Sequence, residues 1–128
     1  MKDITLLRCS HCGKIVEIVH GCGTQCPTIC CGEPMKELVA NTTDGALEKH
    51  VPFVQVEGDE LKVQVGSVIH PMTAEHYIPF IILVTDKDVR RVDLNPGDAP
   101  VATFNIKGVK PLKVYEFCNL HGLWVKEL

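Results

Sequence analysis

The chain has 128 residues, a formal net charge of −3 and seven cysteines. That length holds one ordinary domain or a small module joined to a medium one. The acidic balance leaves no basic face for nucleic acid, and no apolar run is long enough to span a bilayer, so neither is expected as a partner. The first residues, Met1 to Arg8, lack the apolar core and small-residue cleavage site of a secretory signal, which predicts a cytoplasmic protein.

Six of the seven cysteines, Cys9, Cys12, Cys22, Cys26, Cys30 and Cys31, precede residue 32. In a reducing compartment such a density favours metal or redox chemistry over disulfides. The clustering predicts a boundary, with a module over 1–38 and a second domain over 39–128. A segment as short as the first rarely folds on its own apolar core, so a metal staple is expected.

Cys9-Ser10-His11-Cys12-Gly13 has the spacing of a metal knuckle, in which backbone amides point at the sulfurs and the glycine relieves crowding at the turn. Residues 14–19 alternate like a half-buried strand. The chain then breaks at His20-Gly21-Cys22, and a second strand is expected over 35–39, which together predict a hairpin with cysteines at both ends. Adjacent side chains diverge, so Cys30 and Cys31 can share one ion only in a distorted tetrahedron, and iron and zinc both accept four thiolates. Three readings of Cys22 and Cys26 stand side by side: replacement ligands, a redox-sensitive pair, or idle thiols. His11 and His20 read as surface residues.

Asn41 to Lys49 is polar and interrupted by Gly45, so it reads as a loop or short helical turn acting as a mobile lid. Seven β-rich runs follow, at 51–56, 61–65, 78–84, 89–94, 101–106, 112–117 and 123–125, with turn signals at Glu57-Gly58-Asp59, Asn95-Pro96-Gly97-Asp98 and Lys107-Gly108. Seven short strands in about eighty residues suggest an immunoglobulin-like β-sandwich, so the whole chain is expected to be all-β. No internal repeat or sustained helical periodicity interrupts that pattern.

The chemistry concentrates at Cys118-Asn119-Leu120-His121, which sets a soft thiolate near an imidazole at the end of a strand-like run. His50, His70 and His76 each lie at the edge of a strand-like segment, where a loop can turn the ring inward. Four imidazoles and one thiolate suit a redox iron better than structural zinc, which prefers four tetrahedral ligands.

With these motifs in place, the chain resembles desulfoferrodoxin, the two-iron class of superoxide reductase, over essentially its whole length. Cys9 to Gly13 and the tandem Cys30-Cys31 resemble the desulforedoxin-like domain. Glu48-Lys49-His50-Val51-Pro52, His70-Pro71-Met72, His76-Tyr77-Ile78-Pro79 and Cys118 to Trp124 resemble the catalytic-iron motifs in order. The resemblance implies two irons per chain. One would be held by Cys9, Cys12, Cys30 and Cys31, the other by equatorial His50, His70, His76 and His121 with axial Cys118.

It also implies reduction of superoxide to hydrogen peroxide, re-reduction by rubredoxin or a similar carrier, and a homodimer. Within that reading Lys49 attracts the anion and organises the protonating water, while Glu48 closes the sixth position on the oxidised iron. Cys22 and Cys26 depart from the family's familiar four.

Overall fold

A computed structural model describes residues 3–22, 26–42, 45 and 47–128, with the backbone alone at Glu48. The chain divides into two compact units, Lys2–Val39 and Ala40–Leu128. Among the described residues no helix is long and apolar enough to cross a membrane.

In the smaller unit β1 (Leu6–Arg8), β2 (Ile15–Glu17), β3 (Ile29–Cys30), β4 (Glu33–Pro34) and β5 (Lys36–Glu37) are all short. The runs expected to pair with one another do not. Both flank β1, in a three-stranded antiparallel sheet of order β2-β1-β5. Leu6 and Leu7 are both buried, so β1 has apolar contacts on both faces and shows no alternation. The turn from β1 to β2 is the first cysteine knuckle, closed by Gly13 N–H to Cys9 O at 3.0 Å and Cys9 N–H to Lys14 O at 2.9 Å.

The hairpin of this unit is β3–β4, where Cys30 pairs with Glu33 across a two-residue loop. Both loop residues are left-handed, Cys31 at φ 52° and Gly32 at φ 77°. That is the requirement of a type I′ turn, whose twist matches the flanking strands. Glycine adopts it freely, while cysteine there is held against an intrinsic cost of roughly 1–2 kcal/mol.

The larger unit opens with a single helical turn, α1 (Leu47–His50), closed by Val51 N–H to Leu47 O at 3.0 Å. Seven antiparallel strands follow: β6 (Pro52–Glu57), β7 (Glu60–Val65), β8 (Phe80–Thr85), β9 (Val89–Asp93), β10 (Val101–Asn105), β11 (Pro111–Cys118) and β12 (Gly122–Glu127). They form two sheets of order β10-β7-β6 and β12-β11-β8-β9, the arrangement of a seven-stranded immunoglobulin-like sandwich.

Alternation along β7 and β10 fixes which of their residues face inward. Leu61, Val63 and Val65 of β7 and Ala102 and Phe104 of β10 meet Ile81, Leu83, Val114 and Cys118 of the other sheet. The third run starts two residues later than expected. Pro79 has no N–H to give a ladder, although its carbonyl accepts Leu94 N–H at 2.8 Å and Ile78 is fully buried.

Edge strand β12 is held by Asn41, itself left-handed at φ 62°. Its backbone N–H donates to Leu123 O at 2.9 Å, its Oδ1 accepts Val125 N–H at 3.0 Å and its Nδ2 donates to Val125 O at 3.4 Å. Asn41→Ala should remove both side-chain bonds and put a Cβ-bearing residue without local polar compensation in the left-handed region, at a local cost of about 1–3 kcal/mol. Amide exchange at Val125 should accelerate on the order of tenfold or more, with Asn41→Gly recovering part of the loss. Unchanged exchange at Val125 in Asn41→Ala would show that the clasp carries no stability.

Candidate metal centres

Five donors meet at one end of the sandwich. Cys118 ends β11 and His121 lies in the hairpin loop leading to β12, where Cys118 pairs with Gly122. Gly122 adopts φ 82°, which lets a short loop return the chain and aim both donors the same way. His50 closes α1, and His70 and His76 come from the long connection between β7 and β8.

The ligand atoms of all five lie within 4.8 Å of one another. Neighbouring rings have centroids 4.9 Å (His50–His70), 4.6 Å (His70–His76), 5.1 Å (His76–His121) and 4.7 Å (His121–His50) apart. The His50–His76 separation is 6.5 Å, as a diagonal should be when the other four are sides of a square. Adjacent planes are turned by 73–82°. The four imidazoles therefore form a pinwheel, with the fully buried Cys118 sulfur within reach of every ring.

The donors fit a cation and fit little else. His70 Nδ1–H donates to the Pro71 carbonyl at 2.6 Å, which fixes the tautomer and leaves Nε2 with a lone pair aimed inward. That Nε2 and the Nε2 of His76 are buried with no hydrogen-bond partner. His121 Nδ1 lies 3.0 Å from His50 Nε2 and 3.7 Å from the Cys118 sulfur. Two ligand nitrogens about 2.1 Å from one ion at right angles are about 3.0 Å apart. So His121 presents Nδ1 to the centre, and the other three present Nε2.

Burial favours the neutral form of two of these rings, as a ligand requires. The His70 pKa is pushed down to about 4, mainly by burial, against the pull of the Pro71 hydrogen bond. His76 is lowered by burial and then by the charges of His121, His50 and Lys49. Burial pushes the Cys118 thiol up, opposed by the Leu120 and His121 backbone N–H groups. Two residues earlier on the same strand, Glu116 is fully buried with neither carboxyl oxygen hydrogen-bonded, and burial raises its pKa well above the usual range.

Two roles expected of neighbouring side chains meet different evidence. Lys49 is exposed, with its charge felt at His76. The Glu48 side chain lies outside the described residues, as do residues 43, 44 and 46 of the expected lid.

In the smaller unit the sulfurs of Cys9, Cys12, Cys30 and Cys31 gather within 4.8 Å of one another. Cys12–Cys30 is 3.6 Å and Cys30–Cys31 is 4.0 Å, close to the edge of about 3.8 Å for four thiolates about 2.3 Å from one ion. The left-handed turn at Cys31 is what lets two adjacent cysteines face the same point.

The N–H groups of His11 and Cys12 donate to the Cys9 sulfur at 3.4 and 3.5 Å. Led by the Cys12 amide, such bonds lower the Cys9 pKa to about 6, while donation to the Cys9 and Cys12 sulfurs pushes Cys30 up to about 12. The protons that Cys30 and Cys31 retain among these crowded sulfurs are what a cation displaces. Cys22 and Cys26 are exposed and outside this set. His11 is also at the surface, 3.1 Å from Glu33 in a half-exposed pair worth little energy.

The family model for desulfoferrodoxin matches residues 42–127, and that for the desulfoferrodoxin N-terminal domain matches residues 2–38. The chain belongs to the desulfoferrodoxin family. It is 48% identical over 122 residues to the desulfoferrodoxin of Nitratidesulfovibrio vulgaris, covering 95% of this chain and 94% of that one. It is 46% identical over 126 residues to that of Syntrophotalea carbinolica, covering 98% of each. The solved superoxide reductase of Treponema pallidum superposes with a TM-score of 0.80 at 36% identity, over 98% of this chain and all of that one. Family and donor sets agree on two iron sites per chain, one of four imidazoles and a thiolate, the other of four thiolates.

Trp124 also belongs to the five-donor site, although its place in the Cys118–Trp124 motif gives it no role as a ligand. Trp124 stacks on His50 at 5.0 Å and 23°, and its Nε1–H donates to the His121 carbonyl at 3.1 Å. The signal for it is general: a buried indole needs a partner for its N–H.

In metal-free protein the two perturbed groups should act on stability with opposite signs. His70 is neutral in the fold and protonated in the unfolded chain between about pH 4 and 6.5, so it removes stability as pH falls through that window. Glu116 stays protonated in the fold while the unfolded chain ionises above about pH 4.5, so it removes stability as pH rises. Denaturant titrations across this range should give a shallower rise of stability with pH in His70→Gln and a steeper one in Glu116→Gln. Changes of the same sign in both variants would contradict the assignment.

Proposed function

We propose that the chain is a superoxide reductase, catalysing O₂•⁻ + e⁻ + 2H⁺ → H₂O₂. The observation that carries this reading is the square of four imidazoles over one buried cysteine sulfur, with His50 and His70 buried and His76 and His121 on the solvent side. Iron held by His50, His70, His76, His121 and Cys118 would supply the single electron, with the sulfur as its electron-rich donor. The rest of the chemistry belongs to side chains. Burial favours the uncharged form of His70 and His76, the hydrogen-bonded Cys118 sulfur becomes a thiolate once a cation offsets its burial, and the sandwich keeps water away from the back of the site.

Superoxide is an anion approaching a protein of net charge −3. Lys49, exposed beside His50 and electrostatically coupled to His76, is the cation that draws it in and orders the water that protonates the product. Glu48, one residue earlier, is the side chain that would offer iron held at this site a further oxygen donor.

Each turnover consumes an electron, so the protein needs an external donor, for which rubredoxin or a similar small carrier is the expected class. The four-thiolate centre is assigned no part in the superoxide step. A cytoplasmic location agrees with a thiolate cluster that needs reduced cysteines, and a homodimer is the expected assembly, to be measured by sedimentation.

Iron counting with stopped-flow mixing of the reduced protein and superoxide tests the reading. Two irons per chain and one peroxide per superoxide are expected, whereas one peroxide per two superoxides would make the protein a dismutase. Cys118→Ser should lose both the visible thiolate absorption of the deep site and the reaction, while Cys31→Ser should lose only the four-thiolate centre. Full activity in Cys118→Ser would remove the thiolate from the chemistry.

For Lys49→Ala, capture should slow by a few-fold to about tenfold and depend less on ionic strength. A salt dependence equal to that of the unmodified protein would end the steering role.

A further inference from the structure

We propose that Asn119 is a positioning residue that fixes the His76 imidazole against the Cys118 thiolate. Asn119 directly follows Cys118, and its residue type at the start of the Asn119-Leu120-His121-Gly122 turn is common, since asparagine often bonds to its own turn backbone. Here the carboxamide instead crosses to the segment that carries His76. Its Oδ1 accepts Tyr77 N–H at 3.0 Å, its Nδ2 donates to Glu75 O at 2.9 Å, and its backbone N–H donates to Tyr77 O at 3.3 Å. The residues on both sides of His76 are thus tied to the residue between Cys118 and the His121 turn.

His76 has little other means of holding its place. It lies on an irregular connection, not on a strand. Thr73 closes a local turn around it, with Thr73 N–H to His76 O at 3.0 Å and His76 N–H to Thr73 Oγ1 at 3.1 Å. Those bonds shape the turn but do not locate it relative to the other donors. Among the described residues, the hydrogen bonds that carry residues 75–77 to another ligand-bearing segment all end on Asn119.

By contrast, His70 is tied to the end of β7 by His70 N–H to Val65 O at 3.3 Å and by its ring bond to Pro71. Asparagine suits the latch chemically. Serine is too short to reach both backbone groups, and aspartate would set a carboxylate against the Glu75 carbonyl.

The inference rests on the deep site holding iron, and its test separates the two. Iron loss to a chelator is followed through the visible thiolate absorption of that site, with the four-thiolate centre of the same chain as an internal control for the chelator and circular dichroism as the control of folding. Asn119→Ala should release the deep iron on the order of 10- to 100-fold faster than the unmodified protein, with the control centre unchanged. If Asn119 acts through His76, the substitution should add less than about twofold in a His76→Ala background.

Release within twofold of the unmodified protein, or equal acceleration in both backgrounds, would overturn the proposal. An unmodified protein that holds no iron at these five donors would instead overturn the metal reading itself. Should Asn119→Ala not fold, Asn119→Ser leaves one short hydroxyl and is judged by the same two comparisons.

Discussion

Burying several ring nitrogens and a sulfur that face one another, with no hydrogen bond between most of them, is costly in a folded protein. Only a cation at their common focus offsets that cost. The larger unit is arranged around this constraint. Its β11–β12 hairpin supplies the thiolate and one imidazole, and the sandwich core runs up to the thiolate itself, since Cys118 packs with Val114, Ile81 and Leu83. The remaining three imidazoles come from less regular chain, so each needs its own local tie. Pro71 holds the His70 ring, Trp124 lies against His50, and Thr73 shapes the turn of His76.

The smaller unit solves a similar problem with different means. Few of its residues are buried, and its strands are two or three residues long. Its four sulfurs are brought together by two tight turns, one relying on backbone N–H groups and Gly13, the other on successive left-handed residues. Strain at Cys31 persists because the pairing of β3 with β4 and the closeness of the other sulfurs determine where it must lie. Cys12 and Cys31 are exposed, in contrast to the sealed sulfur of Cys118.

Much of this was legible in the sequence, for reasons particular to each element. The sandwich strands announced themselves as runs of β-branched and aromatic residues between turn signals, and in β7 a single buried face makes Leu61, Val63 and Val65 alternate with polar residues. The donors were legible because histidine and cysteine placed beside prolines, glycines and strand ends have few other uses in such number. Strand β1 was not legible, because two adjacent buried leucines followed by an arginine carry no period. The pairing of the small unit was misjudged as a direct consequence, since its two visible strands flank the invisible one. Glu116 was equally hidden: a carboxylate in an alternating run ordinarily marks the solvent face, and nothing local says that this one sits opposite Trp124 and Ile81 inside the sandwich.

The chain has one tryptophan, and its indole lies flat against one imidazole of the deep site while its N–H is bound to the backbone of another. A paramagnetic ion held by those rings would be close enough to quench the indole's ultraviolet emission. Filling and emptying of the site therefore write themselves into the native fluorescence of the protein, an optical record that needs no label.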